Sequence, residues 1–122
     1  MKKYKILCID DSKSIHSFLK DCLTEQIETF TSVFNGAEAV EHLSDKKEFY
    51  DLIFLDWEMP LKNGPETFEE LSKIGLKTPV FMLTSKNEPS DILRMISAGV
   101  TEYIMKPFTK DILIEKIQMH LD

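Results

Sequence analysis

Asp10, Asp11, Asp56, Thr84 and Lys106 are the residues of this chain whose types could do chemistry together, because each stands at the end of a short apolar run. Such runs are too short for ordinary helices and are bounded by turn formers, so they read as strands buried on both faces. Polar residues at the carboxyl ends of parallel strands share the rim where open α/β sheets hold ligands. Three carboxylates gathered there repel one another, each pair about 4 Å apart costing about 4 kcal/mol at an effective dielectric near 20. Positive charge must sit among them. Lys106 supplies one unit and a divalent hard cation two more; Mg²⁺, or Mn²⁺ in its place, suits a site that offers one or two carboxylates and shares phosphate oxygens. Asp56, ionised at neutral pH on its ordinary pKa of about 3.9, is then a ready nucleophile toward a phosphoryl group, a displacement that needs mainly positioning and charge neutralisation.

The elements that must position these groups follow from the pattern of apolar residues. Tyr4 to Ile9 reads as a first strand, and Asp10-Asp11-Ser12 ends it with turn and helix-start residues. Ile15, Phe18, Leu19, Cys22 and Leu23 recur at helical spacing, which predicts a helix to about Gln26. Glu28 to Val33 is a β-prone set broken by Asn35-Gly36, and Ala37, Val40 and Leu43 give a second helix reaching Asp45 or Lys46. Leu52 to Asp56 is the third strand. Pro65 suits the first turn of a third helix with Phe68, Leu71 and Ile74 buried, and Gly64 before it supplies backbone freedom. Val80 to Leu83 leads to Thr84, and Pro89 starts a fourth helix with Ile92, Leu93 and Ile96 inward and Gly99 as its left-handed stop. Val100 to Met105 is the fifth strand, and Thr109 caps a last helix whose Leu113, Ile117 and Leu121 pack inward.

Strand and helix alternate five times, so the expected fold is α/β: a doubly wound, five-stranded parallel sheet with right-handed crossovers and five helices on both faces. A length of 122 residues suits one domain covering residues 1–122. The hydrophobic share of 43% and the charged share of 30% are those of an ordinary globular protein, and no apolar run approaches a membrane span. Met1-Lys2-Lys3-Tyr4 leads straight into a strand instead of a signal-peptide core, which predicts a cytoplasmic protein. The net charge of -6, from 21 acidic and 15 basic residues, disfavours direct nucleic-acid binding and anionic membranes. Cys8 and Cys22 lack redox or zinc spacing and read as buried, reduced thiols.

The acidic pair Asp10-Asp11, the run Asp56-x-x-Met59-Pro60-x-x-x-Gly64, Thr84 and the pair Lys106-Pro107 together resemble the response-regulator receiver domain of two-component phosphorelays, along essentially the whole chain. Pro65 after the glycine and Ser85 after Thr84 depart mildly from that pattern. The resemblance implies a flavodoxin-like sheet of order 2-1-3-4-5. It implies metal contact by Asp11, Asp56 and the backbone carbonyl of Glu58, with Asp10 acting through a coordinated water. Asp56 would be the phosphoacceptor, with Thr84 and Lys106 holding phosphoryl oxygens. The implied donor is a phosphohistidine on a histidine kinase or phosphotransfer protein, or a small acyl phosphate. The chain would be a signalling phosphoacceptor rather than a conventional enzyme. Thr84 and Tyr103 would act as switch residues, remodelling a face of helix four, strand five and helix five that a downstream protein reads. Glu58 and Lys86 resemble positions that tune dephosphorylation, and Lys106-Pro107 a cis peptide.

Competing readings are narrower. Asp10-Asp11 could simply cap the first helix, Thr84 could be an ordinary strand-end hydroxyl, and Lys106 a solvated lysine. Tyr103 could be a plain strand aromatic. A haloacid-dehalogenase-type phosphatase needs a second aspartate two residues after its nucleophile, where this chain has Ser12 after Asp10. A flavodoxin-type carrier needs a hydroxyl- and glycine-rich phosphate loop where this chain has two carboxylates. Trp57 is expected in a partly exposed loop. His16, His42 and His120, without ligand spacing, are expected at the surface or an interface.

Overall fold

The computed structural model describes residues 2–122. The chain runs β1 (Tyr4–Ile9), α1 (Lys13–Cys22), a 3-10 turn (Thr24–Gln26), β2 (Ile27–Val33), α2 (Gly36–Leu43), β3 (Leu52–Asp56), α3 (Gly64–Lys73), β4 (Val80–Thr84), α4 (Pro89–Ala98), β5 (Glu102–Met105) and α5 (Lys110–Leu121). All pairings are parallel and the strand order is β2-β1-β3-β4-β5. That is the doubly wound sheet the alternation predicts.

Every residue of β3 and β4 is buried, because helices cover both faces of these inner strands. Side chains alternate between two cores. Leu7, Ile9, Ile53, Leu55 and Met82 meet Ala39 and Leu43 of α2, Phe68 and Leu71 of α3 and Met95 of α4. Ile6, Cys8, Leu52, Phe54, Phe81 and Leu83 meet Leu19 of α1 and Leu113 and Ile117 of α5. The sheet is therefore wedged from both sides, and its carboxyl edge stands clear.

Helix starts follow their expected chemistry. The Asn35 side chain accepts the Glu38 N–H at 2.7 Å, Thr109 accepts from Ile112 at 3.3 Å, and Asn63 and Glu66 form a reciprocal cap on α3 with Pro65 behind it. Several ends fall short of the periodicity. α1 stops at Cys22, where Thr24 Oγ1 donates to the carbonyls of Lys20 and Asp21 and tightens the chain into the 3-10 turn. α2 stops at Leu43, Ser44 Oγ donating to Val40. β5 begins at Glu102, since the Val100 N–H turns back to Met95 around Gly99, whose φ is 114°.

α4 corrects the sequence reading of its buried side. Met95 is the inward residue at 2% exposure, Ile92 is half-buried, and Leu93 and Ile96 lie 67% and 44% exposed. Its apolar set spans more than a single stripe, so spacing alone identifies an amphipathic helix without centring it. Cys8 is fully buried while Cys22 is only half-buried, and both are free thiols.

The expected backbone freedom at Gly64 is also corrected: positive φ falls instead on Leu61, at 70°, and on Gly75 and Gly99. Leu61 is fully exposed, so its left-handed backbone costs about 1 kcal/mol with no packing to offset it. Leu61→Asn is expected to raise stability by about 0.5–1 kcal/mol, read as a higher urea midpoint with unchanged slope. An unchanged or lower midpoint would contradict it.

Candidate functional site

The carboxyl edge brings the predicted groups together. β1 delivers Asp10 and, one residue on, Asp11; β3 ends on Asp56; β4 ends on Thr84, which follows the Asp56–Leu83 register pair; Lys106 follows β5, its N–H donating to Thr84 at 2.8 Å. Lys106 Nζ lies 2.9 Å from Asp56 Oδ1 and 3.5 Å from Asp10 Oδ2. One carboxylate oxygen from each of Asp10, Asp11 and Asp56 falls within 4.8 Å of the others. Asp10 and Asp56 are buried, and Asp11 is exposed at the mouth. The helix-cap reading of the acidic pair fails, because Ser12 occupies the N-cap of α1 and neither aspartate caps it.

Burial dominates the electrostatics. It pushes the Asp56 carboxyl up to about 6; the Lys106 contact pulls the other way, while Asp10 and Asp11 push it further up. Asp56 is thus less acidic than an ordinary aspartate, yet still largely ionised at pH 7. Asp10 is raised by burial as well, opposed by the Ser12 N–H that donates to its Oδ1 at 2.8 Å and by Lys106. Burial alone would lower Lys106, but the Asp56 hydrogen bond and the Asp10 and Asp56 charges carry it above the usual lysine value. One lysine faces three carboxylates. Asp10 Oδ2 is buried without a hydrogen-bond partner, so the donor set fits a hard divalent cation by both charge and unfilled coordination.

Behind the acidic cluster lies a second layer. Thr84 is buried and its Oγ1 accepts the Lys86 N–H at 2.9 Å, while Tyr103 donates its hydroxyl to the Lys86 carbonyl at 2.9 Å. Tyr103 is therefore tied to the loop that follows Thr84. Glu58 presents its side chain to solvent. The Lys106–Pro107 peptide is cis, as the resemblance implies.

Trp57 corrects expectation: it is 5% exposed, packed in the core, with its ring edge-on to Tyr103 at 6.4 Å and Lys86 Nζ 5.6 Å above it. The Trp57 N–H donates to Leu83 at 3.0 Å, extending the β3 ladder by one residue, so its side chain joins those of Ile53 and Leu55. Period-two parity carried through the loop would have found it.

The histidines divide. His16, expected at the surface, is 5% exposed; Nε2 contacts the Asp10 carbonyl at 2.8 Å and Nδ1 the Ser32 hydroxyl at 2.8 Å. His42 is half-buried against the Tyr50 hydroxyl at 2.6 Å, and His120 pairs with Glu102 at 2.8 Å. The spacing of α1 did carry a signal for His16, which stands three residues before Leu19 and seven before Leu23 on the same helix face, but its polar type reads as solvent-facing.

Comparison with known proteins agrees with this geometry. Residues 6–118 match the model of the response regulator receiver domain. The chain is 29% identical over 115 residues to the transcriptional regulatory protein DltR of Streptococcus agalactiae, covering 94% of this chain and 50% of that protein. It is 30% identical over 113 residues to the chemotaxis protein CheY of Halobacterium salinarum, covering 93% and 92% of the two chains. It therefore spans about half the length of the first relative and nearly all of the second. Among solved structures, the receiver domain of a Francisella response regulator superposes with a TM-score of 0.85 at 31% identity, covering 96% and 95% of the two chains. The chain belongs to the response-regulator receiver-domain family of two-component signalling systems.

Proposed function

We propose that residues 1–122 form one receiver domain whose phosphoacceptor is Asp56, and that it acts in the cytoplasm. The observation that carries this reading is a buried aspartate on the sheet rim, 2.9 Å from a lysine and clustered with two further carboxylates. An Asp56 carboxylate oxygen attacks phosphorus, forming a P–O bond as the donor's P–N or P–O bond breaks and its electron pair leaves with the imidazole or acyl carboxylate. The aspartyl phosphate so formed is a mixed anhydride that water can hydrolyse. Lys106 and the Thr84 hydroxyl hold phosphoryl oxygens and balance their charge. Asp10, Asp11, Asp56 and the Glu58 backbone carbonyl would hold Mg²⁺ or Mn²⁺, which when bound neutralises charge on the transferring phosphoryl oxygens.

The donor is a histidine kinase, a phosphotransfer protein or a small acyl phosphate. Thr84 and Tyr103 bias the loop before α4 between two arrangements, and a downstream protein reads the face of α4, β5 and α5. Exposed Leu93 and Ile96 on α4 and Ile112 on α5 support that reading, since apolar side chains left in water mark a surface available for docking. The arrangement differs from a conventional enzyme in that the chain itself keeps the transferred group.

Incubation with Mg²⁺ and acetyl phosphate followed by intact mass measurement tests the chemistry. The wild-type chain is expected to gain one phosphoryl mass and the Asp56→Ala chain none. A gain that persists in the variant, or no gain in either, overturns the assignment.

A further inference from the structure

His16 is a buried polar residue that the chemistry above does not use, and it sits directly behind the metal-binding turn. Its Nε2 lies 2.8 Å from the Asp10 main-chain oxygen. A carbonyl can only accept, so Nε2 carries the proton and donates. In the neutral ring Nδ1 then accepts from the Ser32 hydroxyl at 2.8 Å, which fixes the tautomer. The ring itself is held by Phe34, with centroids 4.5 Å apart, and edge-on by Phe30 at 6.4 Å. A side chain of α1 thus spans from β2 to the Asp10–Asp11 peptide just beyond β1, bonded at both ends and packed on its faces.

The turn it supports has few other restraints. The Asp10 N–H donates to Val33 at 3.1 Å and Asp10 Oδ1 accepts from Ser12, but the Asp10 carbonyl, whose peptide plane sets the direction of Asp11, is bonded by His16. Asp11 is exposed, and its carboxylate must reach within 4.8 Å of those of Asp10 and Asp56. Rotation of the Asp10–Asp11 peptide would swing that carboxylate out of the cluster.

We propose that His16, set by Ser32, is a positioning residue that orients the Asp10–Asp11 peptide and so presents both carboxylates to the divalent cation. The proposal rests on the reading of that cluster as a cation site. His16 touches neither the cation nor the phosphoryl group. Its effect runs through the orientation of ligands, as supporting hydrogen bonds do at metal sites, where their loss costs about 10- to 100-fold in metal affinity.

The test is Mn²⁺ binding to the full chain, followed by the electron paramagnetic resonance of free Mn²⁺. His16→Phe keeps the ring against Phe30 and Phe34 and removes both hydrogen bonds; His16→Gln can return an N–H toward the Asp10 carbonyl. His16→Phe is expected to weaken Mn²⁺ binding by about tenfold, and His16→Gln to restore it to within about threefold of wild type. Ser32→Ala, which leaves the His16 ring in place, is expected to weaken binding by about threefold and guards against failure of the phenylalanine variant to fold. Equal Mn²⁺ affinity in wild type and Ser32→Ala, and in His16→Phe if it folds, overturns the positioning role. So does equal weakening in His16→Phe and His16→Gln, which would reflect lost packing alone. Failure of wild type to bind Mn²⁺ saturably, or full binding by Asp11→Ala, overturns the cation site itself and with it this proposal.

Discussion

Lys106→Met is expected to cost the cation-free protein about 3 kcal/mol at pH 8, because it removes the ammonium from two buried carboxylates without removing the carboxylates. The value sits at the low end for a broken buried pair, since the lysine side chain is 23% exposed and water can partly replace it. Methionine keeps the apolar stem and leaves Asp10 and Asp56 facing each other with Asp11 beside them. The pH dependence has a definite sign. Asp56 already titrates near 6 in the folded chain and near 4 when unfolded, so the folded state binds protons more readily between these values. A carboxyl raised in this way contributes most below its unfolded value, and that contribution is lost as pH rises through its folded value. Without Lys106 both buried carboxyls rise further. For Asp56 the deficit of Lys106→Met should therefore be largest above the variant's further-raised carboxyl value and shrink as pH falls from there toward about 6, where the wild-type carboxyl also takes up its proton, and added Mg²⁺ should reduce it at any pH where it binds. Urea unfolding at several pH values, with and without Mg²⁺, measures this. A deficit independent of pH would mean that the lysine contributes by packing rather than by charge.

Gly64→Ala is expected to be as damaging for a different reason. A Cβ at this position would stand 2.5 Å from the Asp56 carbonyl oxygen, 2.8 Å from Trp57 Cα and 3.1 Å from Met82 Sδ. The first two are backbone atoms at the end of β3, so they cannot yield without moving the strand that carries Asp56. The Gly64 N–H also donates to the Trp57 carbonyl at 2.7 Å, which fixes how closely α3 approaches. Overpacking against fixed backbone is expected to cost about 3 kcal/mol, with a slower gain of phosphoryl mass from acetyl phosphate as Asp56 is displaced. Gly36→Ala is the internal comparison: its added methyl meets side chains, the Lys62 stem, which can swing away, and the buried Thr67 Oγ1, whose rotation gives up the hydrogen bond it donates to the Asn63 carbonyl. Its cost should still be smaller than that of displacing backbone. Urea midpoints that rank the two variants in the opposite order would refute the argument from close approach.

The fold and the convergence of the candidate residues on one rim were legible in the sequence for the same physical reason. Buried parallel strands must be nearly all apolar, so Asp56 after Leu55 and Thr84 after Leu83 mark strand ends without ambiguity, and strand ends of such a sheet converge. What sequence could not supply was set by contacts between distant segments. Met95 rather than Leu93 faces inward because of how α4 lies on the sheet, and that phase is a tertiary property. His16 shares the helix face of Leu19 and Leu23, but the Ser32, Phe30 and Phe34 that enclose it come from a neighbouring strand and loop, and no local pattern encodes those partners. Gly64 was read correctly as necessary and wrongly explained, since glycine serves there to admit neighbouring backbone while the unusual dihedral falls on Leu61. The acidity of Asp56 was misjudged for a related reason: a model-peptide value ignores the water lost on burial.

The chain has one tryptophan, and its ring lies next in sequence to Asp56, edge-on to Tyr103 and beneath the Lys86 ammonium. Indole emission shifts with the electric field along the ring, so the phosphoryl charge proposed at Asp56 and the proposed displacement of Tyr103 would both change the signal of this native chromophore. An unlabelled sample would then report on both proposed events, which makes this buried ring a built-in probe of the rim.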